Sequence, residues 1–521
     1  MKKVALTWFV LLLLLLPGQG QSLDAQDFVP KREFRAAWIA TMAHIDWPSR
    51  RGLSPAAQRA EFERILDSLA ACGLNAVIVQ VRPKSDAFYR SDTEPWSEYL
   101  TGRQGGDPGY DPLAFMVRAA HARGLEIHVW LNPFRVDTSG DVSKLSPMNV
   151  ARRHPDWLVK YGRHTYLDPG LYPVRRYLAG VVAEVAARYD VDAIHLDDYF
   201  YPYPQRGRVF PDEGTYRKYG GLLFDDIAAW RRDNVNRLIE SLSDTVRAVK
   251  PGMRFGISPF GIYRNASRDP AGSDTRGMSN YDDLYADVVR WMQKGWIDYV
   301  LPQLYWENGH PAADYGELLR WWGQHAGRTQ LYVGHGVHNI SADGENAAWR
   351  TAGEIGRQVE MQRENPASSG SAFYSAKYLV KNLQGVADSL RQRYYRYPAL
   401  TPAMPWLDDR MPRPVGEVMA VRTGRETVSV RWTPGEEASP AEDPAPVRYY
   451  AVYRFAPQET VNINDASHLR ARVWADGAPE YTDRAAGPGT WVYVVTAVSG
   501  TGMENPDFAV SPVVAGAPEK D

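Results

Sequence analysis

The sequence predicts an α/β barrel of eight strand–helix units, followed by a small all-β module. Three observations support the barrel. Strand-like and helix-like segments alternate eight times between residues 32 and 395. No glycine-rich turn follows the first strand, which argues against the main rival, an open doubly wound sheet. The loops that leave strands two to five are long, whereas those that enter the strands are short. In such a barrel, the long loops at the carboxyl ends of the strands build the active site.

The predicted strands and helices can be placed in order along the chain. The strands cover Phe34 to Met42, Asn75 to Arg82, Glu126 to Asn132, Asp192 to Asp197, Arg254 to Pro259, Tyr299 to Tyr305, Gln330 to His335 and Gly370 to Tyr374. The helices cover Pro55 to Ala71, Pro112 to Arg123, Val174 to Tyr189, Phe224 to Val249, Tyr285 to Lys294, Tyr315 to His325, Ala348 to Glu364 and Val380 to Tyr394. Such alternation implies that the strands pair in parallel, as in a TIM barrel.

The amino-terminal residues 1–20 have the pattern of a secretory signal peptide. Two lysines precede a short apolar run from Val4 to Leu16, and small residues follow it, with cleavage expected after Gly20. No cysteine follows that run, so a lipid anchor is not expected. No later segment has the roughly 20 apolar residues that a membrane span needs. The predicted location is the periplasm or the exterior of the cell.

The carboxyl-terminal part of the chain differs in composition from the predicted barrel. Residues 396–413 are rich in proline and read as a linker. Residues 414–516 contain short β-type segments separated by turns, among them Val428 to Trp432, Arg448 to Phe455 and Thr490 to Val498. This pattern is typical of a β-sandwich and resembles a fibronectin type III module. No catalytic constellation is found in it.

Composition restricts the class of ligand. The 60 basic and 62 acidic residues nearly balance, which argues against a nucleic-acid-binding surface. The 17 Trp and 30 Tyr residues suit stacking on sugar rings, although they are also common core residues. No cofactor is predicted. A metal site built from His195, Asp197, His335 and His338 is the competing hypothesis, but the spacing of these residues does not match a known ligand motif.

Polar side chains recur on one face of several predicted strands. Because alternate residues of a strand point to opposite faces, these side chains should point into the barrel, near its carboxyl-terminal end. They are Gln80 and Arg82, then His128, Trp130 and Asn132, then His195 and Asp197, then Gln303 and Tyr305, with His335 ending strand seven. So many polar groups near the strand ends favour a site over a structural role.

Glycosidic bond cleavage usually requires two carboxyl groups, and Asp197 with Glu307 is the predicted pair. Asp197 is expected to act as nucleophile or base and Glu307 as acid, with Trp306 raising the pKa of Glu307 by desolvation. Asp198 is the alternative nucleophile, and Glu307 could instead be an ordinary turn residue. Substrate-binding roles are predicted for Arg82, Trp130, Asn132, His195, Asp198, Tyr199, Gln303, Tyr305 and His335.

The motifs FRAAWIAT, NAVIVQVRPKSDAFY, IHVWLNPFR, IHLDDYFYPYP, FGISPFGIYRN and VLPQLYWEN occur in this order. Together they resemble the glycosyl-hydrolase-like 10 family of bacterial (β/α)8 proteins. The resemblance implies glycoside hydrolysis, with the first Asp of IHLDD, Asp197, in the site. For one branch of the family it implies cleavage of peptidoglycan glycan strands that lack stem peptides. The alternative is a non-catalytic carbohydrate-binding or envelope-scaffold protein on the same fold.

Overall fold

A computed structural model describes residues 29–435 and 443–517 of the chain. The predicted signal peptide, residues 1–20, lies outside the described residues. Within them, eight parallel strands close into a barrel, which confirms the predicted fold. Across these same residues, no helix combines the length and apolar character needed to span a membrane.

The barrel strands are numbered β1 to β8 in chain order. They are β1 Phe34–Ile39, β2 Ala76–Arg82, β3 Glu126–Leu131, β4 Ala193–Leu196, β5 Arg254–Ile257, β6 Tyr299–Val300 with Gln303–Leu304, β7 Gln330–His335 and β8 Ser368–Phe373. The ring closes because β8 pairs with β1, while β7 pairs with both pieces of β6. Pro302 interrupts β6, since proline has no N–H to donate to a neighbouring strand.

Helices surround the barrel. The main ones are α1 Pro55–Ala71, α2 Pro112–His121, α3 Tyr172–Arg188, α4 Ile227–Val249, α5 Val288–Lys294, α6 Tyr315–His325 and α7 Gly353–Glu364. Shorter helices are Glu98–Thr101, Val150–Arg153, Glu213–Tyr219 and Asn280–Asp283. The last predicted helix is broken into Ala376–Val380, Val386–Ser389 and a π-helical turn, Leu390–Tyr394.

Local sequence explains where the first helices begin. The Ser54 side chain accepts a hydrogen bond from the Ala57 N–H, and that of Asp111 accepts one from the Ala114 N–H. Each of these caps precedes a proline in the first turn, where the missing N–H costs nothing. The predicted starts of α1 and α2 are therefore confirmed.

A small antiparallel sheet lies in the loop between β3 and α3. Its strands are Arg135–Asp137, Leu158–Tyr161 and His164–Leu167, with the last in the middle. The sequence pattern predicts only a long loop for this stretch. The sheet gives that loop a fixed shape and places Arg135 and His164 at the carboxyl-terminal end of the barrel.

The carboxyl-terminal region forms two antiparallel sheets, as predicted. The first contains Val418–Gly424, Thr427–Trp432 and Glu480–Asp483, and the second contains Leu469–Trp474, Val447–Phe455, Val492–Ser499 and Ala509–Val510. Apolar residues from both sheets pack together, including Val430 and Trp432 against Val452 and Val495. This shared core makes the region a sandwich.

The second sheet of the sandwich also packs against the rest of the chain. Its outer face carries an apolar cluster with Leu400, which follows the last helix of the barrel. Arg448 from this sheet bonds Asp190 and Asp192 in the loop that enters β4. The sandwich therefore covers the amino-terminal end of the barrel and leaves the carboxyl-terminal end open.

Candidate active site

Two neighbouring aspartates lie where β4 ends. Asp197 and Asp198 are 3% and 2% exposed, although each carries a carboxyl group. Asp197 accepts a hydrogen bond from the Tyr199 N–H at 3.3 Å and long contacts of 3.4 Å from Asn132 Nδ2 to each carboxyl oxygen. These donors are weak for a buried charge. Asp197 is therefore poorly compensated in its ionised form.

The environment of Asp197 disfavours its ionised form. Burial is the largest cause, the neighbouring charge of Asp198 adds to it, and together they raise the pKa of Asp197 to about 7. The guanidinium of Arg135 acts in the opposite direction and limits the rise. A carboxyl group with this pKa carries a proton in a substantial fraction of molecules at neutral pH, as a general acid requires.

Asp198 has stronger partners than Asp197. Its Oδ2 accepts a hydrogen bond from the Tyr203 hydroxyl, and its Oδ1 accepts one from Gln303 Nε2 at 3.2 Å. The same Gln303 amide donates to the Ser258 carbonyl at 2.9 Å, which fixes its orientation. Burial raises the pKa of Asp198, while the bonds from Tyr203 and Gln303 oppose the rise. These donors favour keeping the negative charge of the pair on Asp198.

A cleft of about 520 Å³ opens beside this pair at the carboxyl-terminal end of the barrel. It is lined by Ala40, Met42, Ala43, Ile45, Gln80, Tyr99, Trp130, Arg135, Thr138, Arg163, His164, Tyr166, Tyr199, Pro202, Tyr203, Pro204, Gln205 and Tyr374. Asp197 is bonded to the main chain of Tyr199, and Asp198 to the side chain of Tyr203. The two carboxyl groups thus lie directly behind the wall of the cleft.

The lining of the cleft combines aromatic and basic side chains. Flat aromatic faces with polar edges suit sugar rings, which present both apolar C–H faces and hydroxyl groups. Arg135 lies 4.7 Å from the centre of the Tyr199 ring, and its main-chain N–H donates to Asn132 Oδ1 at 3.0 Å. Arg135 thereby connects the aromatic wall to a neighbour of Asp197. Arg135, Tyr203 and Tyr374 were not among the predicted site residues. Tyr203 and Tyr374 follow the ends of barrel strands, and Arg135 begins a strand of the small loop sheet, so strand parity in the barrel does not reach them.

The structure places Arg82 on the opposite face of β2 from the one predicted. A bulge between Gln80 and Arg82 shifts the register, so that Arg82 pairs with Leu131, which faces the helices. The Arg82 guanidinium is fully buried and bonds both oxygens of Glu94 and the main-chain carbonyl of Asn132. The expectation that Arg82 binds substrate is therefore corrected, because its donors hold the loops after β2 and β3 together.

Two predicted substrate-binding histidines have no access to the cleft. His195 is fully buried, and its ring nitrogens contact the Tyr299 hydroxyl and Ser258 Oγ, both at 2.9 Å. His335 points outward from β7, where it contacts Gln358 of α7 at 3.1 Å. Burial lowers the pKa of both histidines. Both are therefore neutral near pH 7, and both bond groups inside the protein rather than facing the cleft. His335 was predicted only because it ends strand seven, and its side chain lies on the face of β7 that points toward the helices.

Glu307 lies in a different environment from the one expected. Its Oε2 accepts a hydrogen bond from the Trp349 indole N–H at 3.1 Å, and hydrogen bonds lower its pKa despite some desolvation. The neighbouring Trp306 packs edge-on against Phe260. The expectation that Trp306 raises the pKa of Glu307 is therefore wrong. Like Asp197 and Asp198, Glu307 is not among the residues that line the cleft; the two aspartates bond lining residues, whereas the side-chain partner of Glu307, Trp349, does not line it.

The remaining predicted residues are brought together around the pair. Trp130, Tyr199 and the amide of Gln303 lie at the cleft or bond the aspartates. The ring of Tyr305 stacks 5.8 Å from that of Tyr374, which lines the cleft. Within residues 29–435 and 443–517, no group of three or more His, Cys, Asp or Glu side chains has an arrangement that could hold a metal ion.

Comparisons with known proteins show which family this chain belongs to. The model of the glycosyl hydrolase-like 10 family matches residues 33–351. The glycosyl hydrolase YngK of Bacillus subtilis (strain 168) is 48% identical over 386 residues, covering 73% of this chain and 76% of the relative. The glycosyl hydrolase DigH of Escherichia coli (strain K12) is 38% identical over 387 residues, covering 70% and 88%.

Among solved structures, the glycoside hydrolase domain of PgaB (BpsB) from Bordetella bronchiseptica is similar, with a TM-score of 0.46 and 15% identity. It aligns with 70% of this chain and 99% of its own. The catalytic domain of a β-amylase from Paenibacillus polymyxa has a TM-score of 0.44 and 12% identity, with 71% and 99% covered. On the family match and the two relatives, the chain belongs to the glycosyl hydrolase-like 10 family.

Proposed function

We propose that the chain is an exported glycoside hydrolase that cleaves a polysaccharide at the cleft beside Asp197 and Asp198. The observation that carries this proposal is the pair itself. Two adjacent carboxyl groups are buried behind a cleft lined by aromatic rings. Burying a carboxyl group with only weak donors, as at Asp197, costs stability, so the arrangement is better explained by catalysis than by folding.

The proposed roles follow from the contacts of each carboxyl group. Asp197, with its pKa raised to about 7, protonates the glycosidic oxygen as the bond breaks. Asp198, held by Tyr203 and Gln303, keeps the negative charge and stabilises the positive charge that develops on the sugar. Water then attacks the anomeric carbon and gives its proton to the Asp197 carboxylate, which restores the acid. This assignment reverses the predicted role of Asp197, which the sequence analysis treated as nucleophile or base.

Glu307 remains the candidate for a second, ionised carboxylate in the reaction. Its lowered pKa suits a base or nucleophile rather than the acid that the sequence analysis predicted. It would have to approach the substrate from outside the cleft lining. A substitution of Glu307 therefore distinguishes a two-site mechanism from one centred on the aspartate pair.

The proposed substrate is the peptidoglycan glycan strand without stem peptides, and the proposed site of action is outside the cytoplasm. Support comes from the amino-terminal pattern and from the glycan-sized aromatic cleft. We also propose that the carboxyl-terminal sandwich is a fibronectin type III module that acts as a spacer. The alternative function, carbohydrate binding without catalysis, requires the same cleft but no proton donor.

Purified protein incubated with a panel of glycans tests the proposal, with products identified by mass spectrometry. The panel contains peptide-free peptidoglycan strands, intact peptidoglycan and unrelated polysaccharides. Cleavage of at least one glycan by the wild type, and its loss in Asp197→Asn, would support hydrolysis. Glycan binding without products in the wild type would favour the non-catalytic alternative. Glu307→Gln serves as the comparison that locates the second carboxylate.

A further inference from the structure

We propose that the cleft beside the aspartate pair contains a subsite for a carboxylate carried by the sugar chain, built on one face of the small loop sheet. This subsite rests on the proposed hydrolase function and specifies the charge of the substrate. Two arginines and a histidine line the cleft, namely Arg135, Arg163 and His164. Among the described residues that line it, none is Asp or Glu. The lining of the cleft therefore presents positive charge to a ligand.

The pairing of the loop sheet brings these side chains to one place. Arg135 pairs with Tyr166 across the sheet, and paired residues project from the same face. His164 lies two residues before Tyr166, so it shares that face, and its Nδ1 lies 3.3 Å from the Tyr166 hydroxyl. Arg163 lies in the hairpin turn, where its Nε–H donates to His164 Nε2 at 3.1 Å. Together these residues form a continuous row along the cleft.

The pKa of His164 shows that both guanidinium groups lie near its ring. Burial is the largest cause of its lowered pKa, and the positive charges of Arg163 and Arg135 lower it further, while the charge of Asp137 opposes them. Two cations on one imidazole repel each other as well as the protonated ring. A carboxylate bound between them would relieve this repulsion.

The two arginines have no carboxylate partner of their own. Across residues 29–435 and 443–517, neither Arg135 nor Arg163 makes a salt bridge within 4.0 Å. Arg135 Nη1 donates to the Pro83 carbonyl at 3.3 Å, and the guanidinium lies 4.7 Å from the centre of the Tyr199 ring. Its other guanidinium donors are accessible and make no hydrogen bond within the described residues. They are therefore available to a ligand in the cleft.

Asp137 follows Arg135 in the same strand, but it points away from the row. It pairs with Thr165, which alternates with the residues of the row and so projects from the other face of the sheet. Ser139 Oγ donates to Asp137 at 2.8 Å, and the Gly140 N–H donates to it at 2.6 Å. Asp137 is thus bonded on its own side and does not occupy the donors of Arg135.

The hairpin that carries Arg163 is held against the loop after β4. The Gln205 N–H donates to the Tyr161 hydroxyl at 2.7 Å. A Cβ added at Gly162 would lie 2.5 Å from Gln205 Oε1, so the hairpin turn packs directly on that side chain. Because the row is fixed in this way, less entropy is lost when a ligand binds.

Arg135 also places the subsite beside the reacting groups. Its charge lowers the pKa values of both Asp197 and Asp198, and its N–H donates to Asn132 Oδ1 at 3.0 Å. A guanidinium presents parallel N–H groups that match the two oxygens of a carboxylate. A sugar chain bound at the aspartate pair would therefore bring a carboxylate of a sugar unit next to the cleaved bond against Arg135.

Two kinds of glycan carry such a carboxylate. In peptidoglycan without stem peptides it belongs to the lactyl ether of the muramic sugar, and in a uronic acid polymer it is attached to the sugar ring. A stem peptide converts the lactyl carboxylate into a neutral amide, which cannot form an ion pair with Arg135. The subsite therefore supplies a physical reason for selecting strands that lack stem peptides.

Two matched substrates test the subsite: peptide-free peptidoglycan strands, and the same strands with their carboxyl groups converted to neutral methylamides. In the wild type, we expect kcat/KM to be at least about tenfold higher on the free-acid strands. In Arg135→Gln, this ratio should fall to about twofold or less. The ratio is taken at one pH, because a change in the pKa of Asp197 acts on both substrates. Arg208→Gln is the matched control, since Arg208 is exposed and does not line the cleft, and it should keep the wild-type ratio.

A second arm identifies the source of the carboxylate. Hyaluronan oligosaccharides carry carboxylates on the sugar ring, and chitin oligosaccharides carry none. Given a free-acid preference that Arg135→Gln reduces, cleavage of the peptidoglycan strands alone assigns the carboxylate to the lactyl ether, and cleavage of hyaluronan includes uronic acids; either result supports the subsite. Equal kcat/KM of the wild type on free-acid and methylamide strands, or an unchanged ratio in Arg135→Gln, overturns it.

Failure of the proposed function is a separate outcome. If the wild type cleaves no glycan, the hydrolase proposal fails, and isothermal titration calorimetry with the same two strands tests the subsite alone. A Kd at least about tenfold lower for the free-acid strands, lost in Arg135→Gln, supports the subsite. Equal affinity for the two strands, or no binding of either, overturns it.

Discussion

The two ends of the barrel both bury carboxyl groups, but they treat them in opposite ways. At the carboxyl-terminal end, burial raises the pKa values of Asp197 and Asp198, and the charge of Asp198 adds to the rise at Asp197. At the amino-terminal end, paired cations lower the pKa values of Glu126 and Asp192 despite complete burial. The difference shows that burial alone does not decide whether a carboxyl group is protonated or ionised. The supply of cationic partners decides it.

Each partner at the amino-terminal end can be named. Glu126 bonds the Arg254 guanidinium and accepts from Thr401 Oγ1 at 2.7 Å. Asp192 accepts from Arg448 Nη2 at 2.7 Å and from the Ile127 N–H at 2.8 Å. Arg448 belongs to the sandwich, so these ionised groups attach the sandwich to the barrel. This end of the barrel pairs its buried carboxylates with cations, whereas the other end leaves Asp197 buried with weak donors, at a cost in stability.

The largest expected effect is on activity, from Asp197→Asn. Loss of the proton donor should lower kcat/KM by about 10²–10⁴ on the best glycan. The same substitution should raise Tm at pH 7.5. The folded state holds the pKa of Asp197 well above its unfolded value, so the stability linked to its proton is lost as pH rises from about 4 through about 7. The variant Asp197→Asn does not suffer this loss of stability, because an asparagine side chain cannot ionise.

Glycan digestion assays and thermal unfolding measure the two effects on one preparation. A variant that loses activity and Tm together would indicate a structural role for Asp197. Full activity on every glycan that the wild type cleaves would remove Asp197 from the mechanism.

The second-largest expected effect is a loss of stability in Arg448→Gln, at the amino-terminal end of the barrel. Removing the cation leaves buried Asp192 with the weaker support of the His121 ring and the Ile127 N–H, which should cost about 3–5 kcal/mol in the free energy of unfolding. Arg431→Gln on the same sandwich is the matched control, since Arg431 is exposed. Urea unfolding monitored by fluorescence measures both. A loss for Arg448→Gln no larger than that of the control would show that this contact does not stabilise the fold.

A smaller effect concerns acid unfolding of the wild type. Glu126 and Asp192 have pKa values lowered in the folded state, so their contribution is present above their unfolded values of about 4. It should be lost as pH falls from about 4 towards about 2, the pKa of Glu126. Urea midpoints measured between pH 6 and pH 2.5 should fall steeply only below about pH 4. A flat profile over that range would contradict the assignment of ionised carboxylates to this end.

Much of the fold could be predicted from the sequence, because its signals are local. Alternating segments, proline and capping residues located the barrel strands and the helix starts at Ser54 and Asp111. The loop sheet was missed because Arg135–Asp137, Leu158–Tyr161 and His164–Leu167 are short and pair across the loop. Their register depends on contacts that local patterns do not contain.

The site was predicted less completely, for a related reason. The alternation of side chains along each strand correctly predicted that Asp197 and Gln303 lie at the carboxyl-terminal end of the barrel. It failed at positions where a strand contains a bulge or ends. A bulge turned Arg82 outward, and His335 follows the outward face of β7. The same alternation also gave Asp198 only a secondary role. Asp198 lies beyond the last paired residue of β4, and its carboxyl group accepts a hydrogen bond from Gln303. The pKa of Glu307 is lowered, against its desolvation, by hydrogen bonds from its own main chain and from Asn346 and Trp349, and the last two residues are distant in sequence.

The pH dependence of kcat/KM tests most directly whether the Asp197 proton drives the reaction. In the wild type, activity should fall as pH rises above about 7, because Asp197 then loses its proton. Asp198→Asn removes a negative neighbour, so the remaining activity should fall at a lower pH. Arg135→Gln removes the cation that lowers the pKa of Asp197, so the activity of this variant should fall at a higher pH than that of the wild type. A basic limb that stays at the same pH in all three proteins would contradict Asp197 as the acid.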